Sequence, residues 1–349
     1  MPSIHSIKLL HRWLGLSLGV FLAISGLTGS WLIYDRAIAK PAIEIIPLSK
    51  TMPLETLYQT AIQHLPVNTD IQLRLPKEDK LPYQFRAKDK QMLINQYTGE
   101  VLIIRSIDYW PHGWLLHLHA ELLQGKPGKQ IIGWFGVGIF IITLFGLYLG
   151  WPRRWSKVFK LRLRQQRFVF HYDLHKLSGL LVAPLFMLVL ITGISLSFSS
   201  VTNDVLSYLF NKQSPKLPLV KLTSNGSRAL LDDIISNANA ALPGGRIGTI
   251  QIPNSLDKPV AVRKRLPSEP HPNGLNMIYI NPSDASVLQV VTLDYAEPSK
   301  RWFNWAYPLH SGEALPYLQW VLLVVGLVPT FLLFTSLYMY LIRSKFIKN

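Results

Sequence analysis

The 349-residue chain has no cysteine. Its absence excludes disulfides, thiolate metal sites and iron–sulfur clusters. Charged residues are also scarce, at 16% where soluble domains carry roughly 25%. Acids are the scarcer sign: 20 Asp and Glu stand against 36 Lys and Arg. No phosphate-binding loop, zincin helix or nucleophile elbow is present. Gly133-Trp134-Phe135-Gly136-Val137-Gly138 lies inside an apolar run and opens no strand–turn–helix unit, so it is not a dinucleotide fingerprint. With no visible NAD or flavin domain, any electron the chain moves comes from another molecule.

What the chain does have is apolar length. Hydrophobic residues make up 49% of it, and four runs reach the ~20 residues needed to cross a bilayer. They run from about Leu14 to Tyr34, Ile131 to Trp151, Leu177 to Phe198 and Leu318 to Ile342, with no charged side chain in any interior. Small residues recur in them, among them Gly15, Gly19, Gly26, Gly29, Gly133, Gly136 and Gly138, as expected where membrane helices pack closely. The first run follows Lys8 and Arg12 like a signal peptide, but it is too long for one and has a twin later in the chain.

The bases fix an orientation. The N-terminal segment holds Lys8 and Arg12. The connection after the second run holds Arg153, Arg154, Lys157, Lys160, Arg162, Arg164 and Arg167, with Lys176 entering the third run, and the tail holds Arg343, Lys345 and Lys348. These 13 bases meet one acid, Asp173. A four-span topology puts all three segments on one side, which the positive-inside rule makes cytoplasmic. Residues 35–129 and 201–314 then lie outside, with 12 bases against 10 acids and 11 against 9. Most of the net charge of +16 is therefore topological, so the expected partner is the lipid bilayer and no nucleic acid.

An internal repeat organises the rest. His11-Arg12-Trp13-Leu14-Gly15 opens the first span and His175-Lys176-Leu177-Ser178-Gly179 the third; each reaches a Thr-Gly pair, Thr28-Gly29 and Thr192-Gly193, 17 residues later. Asn95–Leu102 resembles Asn281–Leu288, and each precedes a Leu-His pair, Leu118-His119 and Leu309-His310. The halves share one orientation, making a parallel repeat. The expected organisation is an N-terminal segment with transmembrane helix 1 (1–34), an outer domain (35–129), helix 2 (130–151), a basic cytoplasmic loop (152–174), helix 3 (175–200), a second outer domain (201–314), and helix 4 with a cytoplasmic tail (315–349). Each outer domain reads as a small α+β unit. Helical spacing over Met52–Leu65 and Ala229–Ala241 predicts one helix in each. Alternation predicts strands at Gln84–Ala87, Met92–Asn95, Gly248–Ile252, Val260–Arg263 and Met277–Ile280.

Four of the ten histidines occupy repeated positions: His11 and His175 at the cytoplasmic face, His119 and His310 at the outer face. Two equivalent pairs at two depths suit two bis-histidine haems, because neutral imidazoles filling both axial positions favour electron transfer. His117, two residues from His119, and His171, four residues from His175, are alternative ligands or supporting partners. His5, His64, His112 and His271 have no repeated equivalent and read as ordinary surface residues.

These motifs resemble those of the PepSY-associated transmembrane helix proteins, the iron-regulated membrane proteins of the bacterial inner membrane. The residues that carry the resemblance are His11–Gly15 with Thr28-Gly29, Leu118-His119 with Leu122–Gly125, Trp151–Arg154, Leu174–Lys176 with Gly179, His271-Pro272-Asn273-Gly274, and Tyr307–Glu313. A turn joining two strands explains His271–Gly274 equally well. Some family members look like haem-containing ferric-siderophore reductases. The resemblance thus implies PepSY-like periplasmic domains, two non-covalent b-type haems on His11, His175, His119 and His310, a ferric siderophore as substrate and an unidentified cytoplasmic or membrane electron donor. Trp110, Trp114, Trp302, Trp305 and Tyr307 flank the outer pair in sequence and are candidates for the substrate's vicinity; an interfacial aromatic belt explains them as well. Another class of function is a non-enzymatic membrane protein whose outer domains bind a peptide, a protease or an envelope partner. A transporter is disfavoured, since no acid sits within a span.

Overall fold

The structure, a computed structural model, describes residues 3–37, 43–155, 158–163, 166–211, 218–220, 227–293 and 297–347. Lys157, Arg164 and Lys348 of the basic segments lie outside the described residues. The chain divides into two compact units. With elements numbered in chain order, the first unit is built on four helices: α1 (Ile4–Ala37), α4 (Lys126–Gly150), α5 (Arg167–Ser197) and α9 (Leu318–Ile347). All four are long and apolar enough to cross a membrane. They extend beyond the expected spans at one or both ends, because the apolar run marks the lipid-facing length whereas the helix continues into polar flanks.

Within this unit α1 touches α4 and α9, and α5 touches the same two neighbours. Backbones come close where glycine permits it. A Cβ on Gly26 would stand 2.2 Å from the carbonyl oxygen of Gly326, and one on Gly133 would stand 2.6 Å from the ring of Phe198. Ser30 adds an interhelical bond, its hydroxyl donating to the Leu323 carbonyl at 2.8 Å. Close van der Waals packing of this kind is what holds helices together where lipid removes the hydrophobic drive between them.

The second unit is one antiparallel sheet with two helices on one face. The first loop supplies α2 (Leu54–His64), β1 (Ile71–Arg74), β2 (Tyr83–Ala87), β3 (Lys90–Ile94) and β4 (Val101–Ser106). The second supplies α7 (Leu231–Ala241), β5 (Arg246–Ile252), β6 (Val260–Arg265), β7 (Asn276–Ile280) and β8 (Val287–Val291). The sequence suggested two separate sheets. Instead the order is β4-β3-β2-β1-β5-β6-β7-β8, with Ile71 paired to Ile252 and Arg74 to Thr249. Pairing β1 with β5 removes the two edges that separate domains would leave open. One core results: Leu57, Leu73, Phe85, Met92, Ile234, Ile250, Val262 and Ile278 all pack in it. Phe85 and Ile250 are fully buried. The helices also cap each other. Asp232 accepts from the backbone amides of Leu54 and Glu55, both at 2.9 Å, and Glu55 accepts from that of Leu231 at 3.0 Å. Each carboxylate thus satisfies orphan donors at the other's N-terminus.

The resembling loop segments form the same turn. Asn95 Oδ1 accepts from the Tyr97 amide and Asn281 Oδ1 from the Ser283 amide, both at 3.0 Å. Gly99 and Ala285 take the left-handed conformation at φ +74° and +58°. His271–Gly274 connects β6 to β7. His271 is buried, its Nδ1 accepting from the Asn273 amide, and Gly274 packs against the Arg265 backbone with φ +66°. His271 is therefore a loop-holding residue, not a surface one. Three further helices, α3 (His112–Glu121), α6 (Ser199–Phe210) and α8 (Pro298–Ser311), complete the order.

Candidate functional site: two histidine pairs in the helical unit

His11 of α1 faces His175 of α5, their ring centres 6.4 Å apart at an interplanar angle of 80°. At the other end of the bundle His119 of α3 faces His310 of α8 at 6.2 Å and 48°. The seats of the two pairs lie far apart along α1: His11 is 17 residues from Thr28, a rise of ~25 Å.

Each imidazole is held through Nδ1. His119 Nδ1 lies 3.0 Å from the Ser25 carbonyl and 3.1 Å from Thr28 Oγ1. His310 Nδ1 lies 3.0 Å from the Val189 carbonyl and 3.2 Å from Thr192 Oγ1. His175 Nδ1 lies 2.9 Å from Thr335 Oγ1 and also meets the Leu332 carbonyl. For His11 the partner is the Ile142 carbonyl at 3.1 Å. A carbonyl oxygen only accepts, so Nδ1 carries the proton and Nε2 keeps its lone pair. The threonine hydroxyls spend their own protons on their helices, as Thr192 does on the Leu188 and Val189 carbonyls, and accept from the imidazole. Among the described residues, none of the four Nε2 atoms has a protein partner.

The four seats share one pattern on a helix: a carbonyl at position i and a small residue at i+4, with threonine between them at i+3 in three of the four. They are Ser25, Thr28 and Gly29; Val189, Thr192 and Gly193; Leu332, Thr335 and Ser336; and Ile142, Phe145 and Gly146. The glycines make room. A Cβ on Gly29, Gly193 or Gly146 would stand 3.0, 2.9 or 2.9 Å from Cε1 of His119, His310 or His11. The seat of His11 departs from the pattern, with Phe145 where the others have threonine. The Thr-Gly repeat was visible in the sequence, but its role was not, since each histidine and its seat lie on different helices.

His117 and His171 stand outside both pairs. His117 Nδ1 hydrogen-bonds to the Glu121 carboxylate on its own helix. His171 Nδ1 bonds to the Arg167 carbonyl at 2.8 Å, and its ring stacks near Tyr338 at 4.0 Å. The aromatic candidates divide between the units, with Trp110, Trp302 and Trp305 in the second and Trp114 and Tyr307 in the first. Trp110 is largely exposed, while the indole Nε1 of Trp302 is buried.

The family model for the PepSY-associated TM region matches residues 9–343. The chain belongs to this family. An uncharacterized protein of Pseudomonas aeruginosa is 30% identical over 108 residues, which span 31% of this chain and 27% of that protein. The match to the PepSY-associated region takes in all four histidines and all four seats.

Proposed function

We propose that this protein is a di-haem electron conduit of the bacterial inner membrane that reduces ferric iron held by a siderophore at the periplasmic face. The observation that carries the reading is the spacing of the histidine pairs. Two imidazoles on opposite sides of one metal, with bonds of ~2.0 Å and ring centres ~1.1 Å behind each nitrogen, stand ~6.3 Å apart. The pairs measure 6.4 and 6.2 Å.

The donor set fits haem better than a bare ion. Among the described residues no third His, Asp or Glu joins either pair, and haem iron needs only its two axial positions filled by protein. The Nδ1–carbonyl bonds fix the tautomer and aim Nε2, the arrangement that metal-ligating histidines use. When bound, haem supplies reversible one-electron transfer. His11 and His175 would hold the inner group, and His119 and His310 the outer one. Between the two pairs the apolar spans carry no charged side chain, so the bundle itself offers no relay for a proton or ion.

The parallel repeat supports the same reading. Each half contains a long helix, an α-β-β-β-β unit, a short helix and a second long helix in that order, the second half adding α6 after its first helix, and the sheet order reads symmetrically about β1–β5. With N-in, C-in topology from the charge bias, the sheet unit is periplasmic and PepSY-like. The absorption spectrum of the purified protein tests the proposal. A Soret band with sharp reduced α-bands, and two haems per chain by pyridine haemochrome, are expected; a colourless folded protein rejects it.

A further inference from the structure

The eight strands contain no Asp or Glu. Leu73, Phe85 and Met92 point into the core beneath the helices, so by strand alternation their neighbours occupy the opposite face. There the register places Arg86 beside Gln91 and Gln91 beside Arg105. Arg74 pairs with Gln84 on the adjoining strand. Arg86 and Arg105 are two strands apart, ~10 Å, and Arg74 is a diagonal neighbour of Arg86.

Three arginines thus share one sheet face with neutral company. The amide oxygen of Gln84 accepts from Arg86 through both Nε and, at 2.8 Å, Nη2, and from Gln91 at 3.0 Å. The Arg105 guanidinium lies 3.4 Å from the centre of the Tyr109 ring. The Nε atoms of Arg74 and Arg105 are buried without a hydrogen-bond partner, and Gln91 is only 4% exposed. Among the described residues none of the three arginines has an acidic partner. Burial, with Arg74 and Arg105 nearby, lowers the pKa of Arg86 to about 10. A partly enclosed cluster of one sign is costly on its own and is relieved by an anion, and the guanidinium fork matches carboxylate oxygens two at a time.

We infer that Arg74, Arg86 and Arg105 form a binding site for a polycarboxylate anion, which delivers iron to this protein as a ferric hydroxycarboxylate chelate. Three guanidinium groups on one sheet face, spread over ~10 Å, suit several carboxylates on one molecule better than a single small anion. The identity of the cargo rests on the reductase reading; the anion site does not.

The test uses the full chain in phosphatidylcholine nanodiscs and gallium(III) citrate, a redox-inert analogue of the ferric chelate, with bound gallium measured by equilibrium dialysis. Wild type should bind it, and a tenfold rise in salt should weaken binding about tenfold. Arg86→Gln and the double variant Arg74→Gln/Arg105→Gln should each weaken it at least about tenfold. A gallium trihydroxamate without free carboxylates should not compete. Salt-independent binding, a wild type that does not bind, or unchanged binding in both variants overturns the site. So does loss of binding in discs containing phosphatidylglycerol, which would make a lipid headgroup the occupant. Because gallium is not reduced, a haem-free chain that binds it sinks the reductase reading alone, and a haem-replete chain that does not bind sinks this site alone.

Discussion

Gly193 leaves the space that His310 fills: a Cβ there would stand 2.9 Å from the imidazole Cε1. Valine at this position should push the ring off its seat on α5 and remove the outer haem while leaving the inner pair, ~25 Å away, untouched. Pyridine haemochrome should then read about one haem per chain in place of two. Two haems retained in Gly193→Val would mean that the ring does not need this seat to hold a metal.

The inner pair makes a matching prediction. His175→Ala should also lower the haem content to about one per chain, since a single imidazole leaves an axial position open. Retention of both haems would move the ligand role to His171, one helical turn away, and a low-spin spectrum in a His171→Ala variant would bring it back.

Asp232 accepts from two backbone amides at the N-terminus of α2. Asp232→Ala leaves those donors without a partner and should cost about 1–2 kcal/mol in the stability of the sheet unit. Hydrogen exchange in that unit, compared with wild type, measures it. Haem content should not change, since no ligand or seat belongs to these elements.

Topology is checked by fusion. A reporter active only in the cytoplasm, placed after Asn349, should give full signal, and one placed after Thr98, in the turn between β3 and β4, should give none. The opposite pattern would invert the orientation and with it the face at which reduction is proposed.

Much of this was legible in the sequence. The four spans could be read because each helix is apolar around its whole circumference, a property of one segment taken alone. The strand pairing could not. β1 has four residues, Ile71–Arg74, too few for a clear alternation, and its partner β5 lies in the other loop. α2 and β2 were visible because each packs one face on the core, whereas β4 and β8, at the sheet edges, bury little and alternate weakly. The histidines stood out by repetition. Their seats did not, because Thr28, Thr192 and Thr335 meet them only once helices distant in sequence have packed.

The joint between β1 and β5 also sets a schedule for biogenesis. About 170 residues separate the end of β1 from the start of β5, so at ~5–20 residues per second the ribosome needs on the order of 10–30 s to supply the missing strand. Throughout that interval β1 is an unpaired edge, with its amides and carbonyls open to any extended chain nearby. Nascent protein is therefore most vulnerable to mispairing after its first loop has emerged and before its second has followed, and stalling translation between them should trap a species that captures foreign strands.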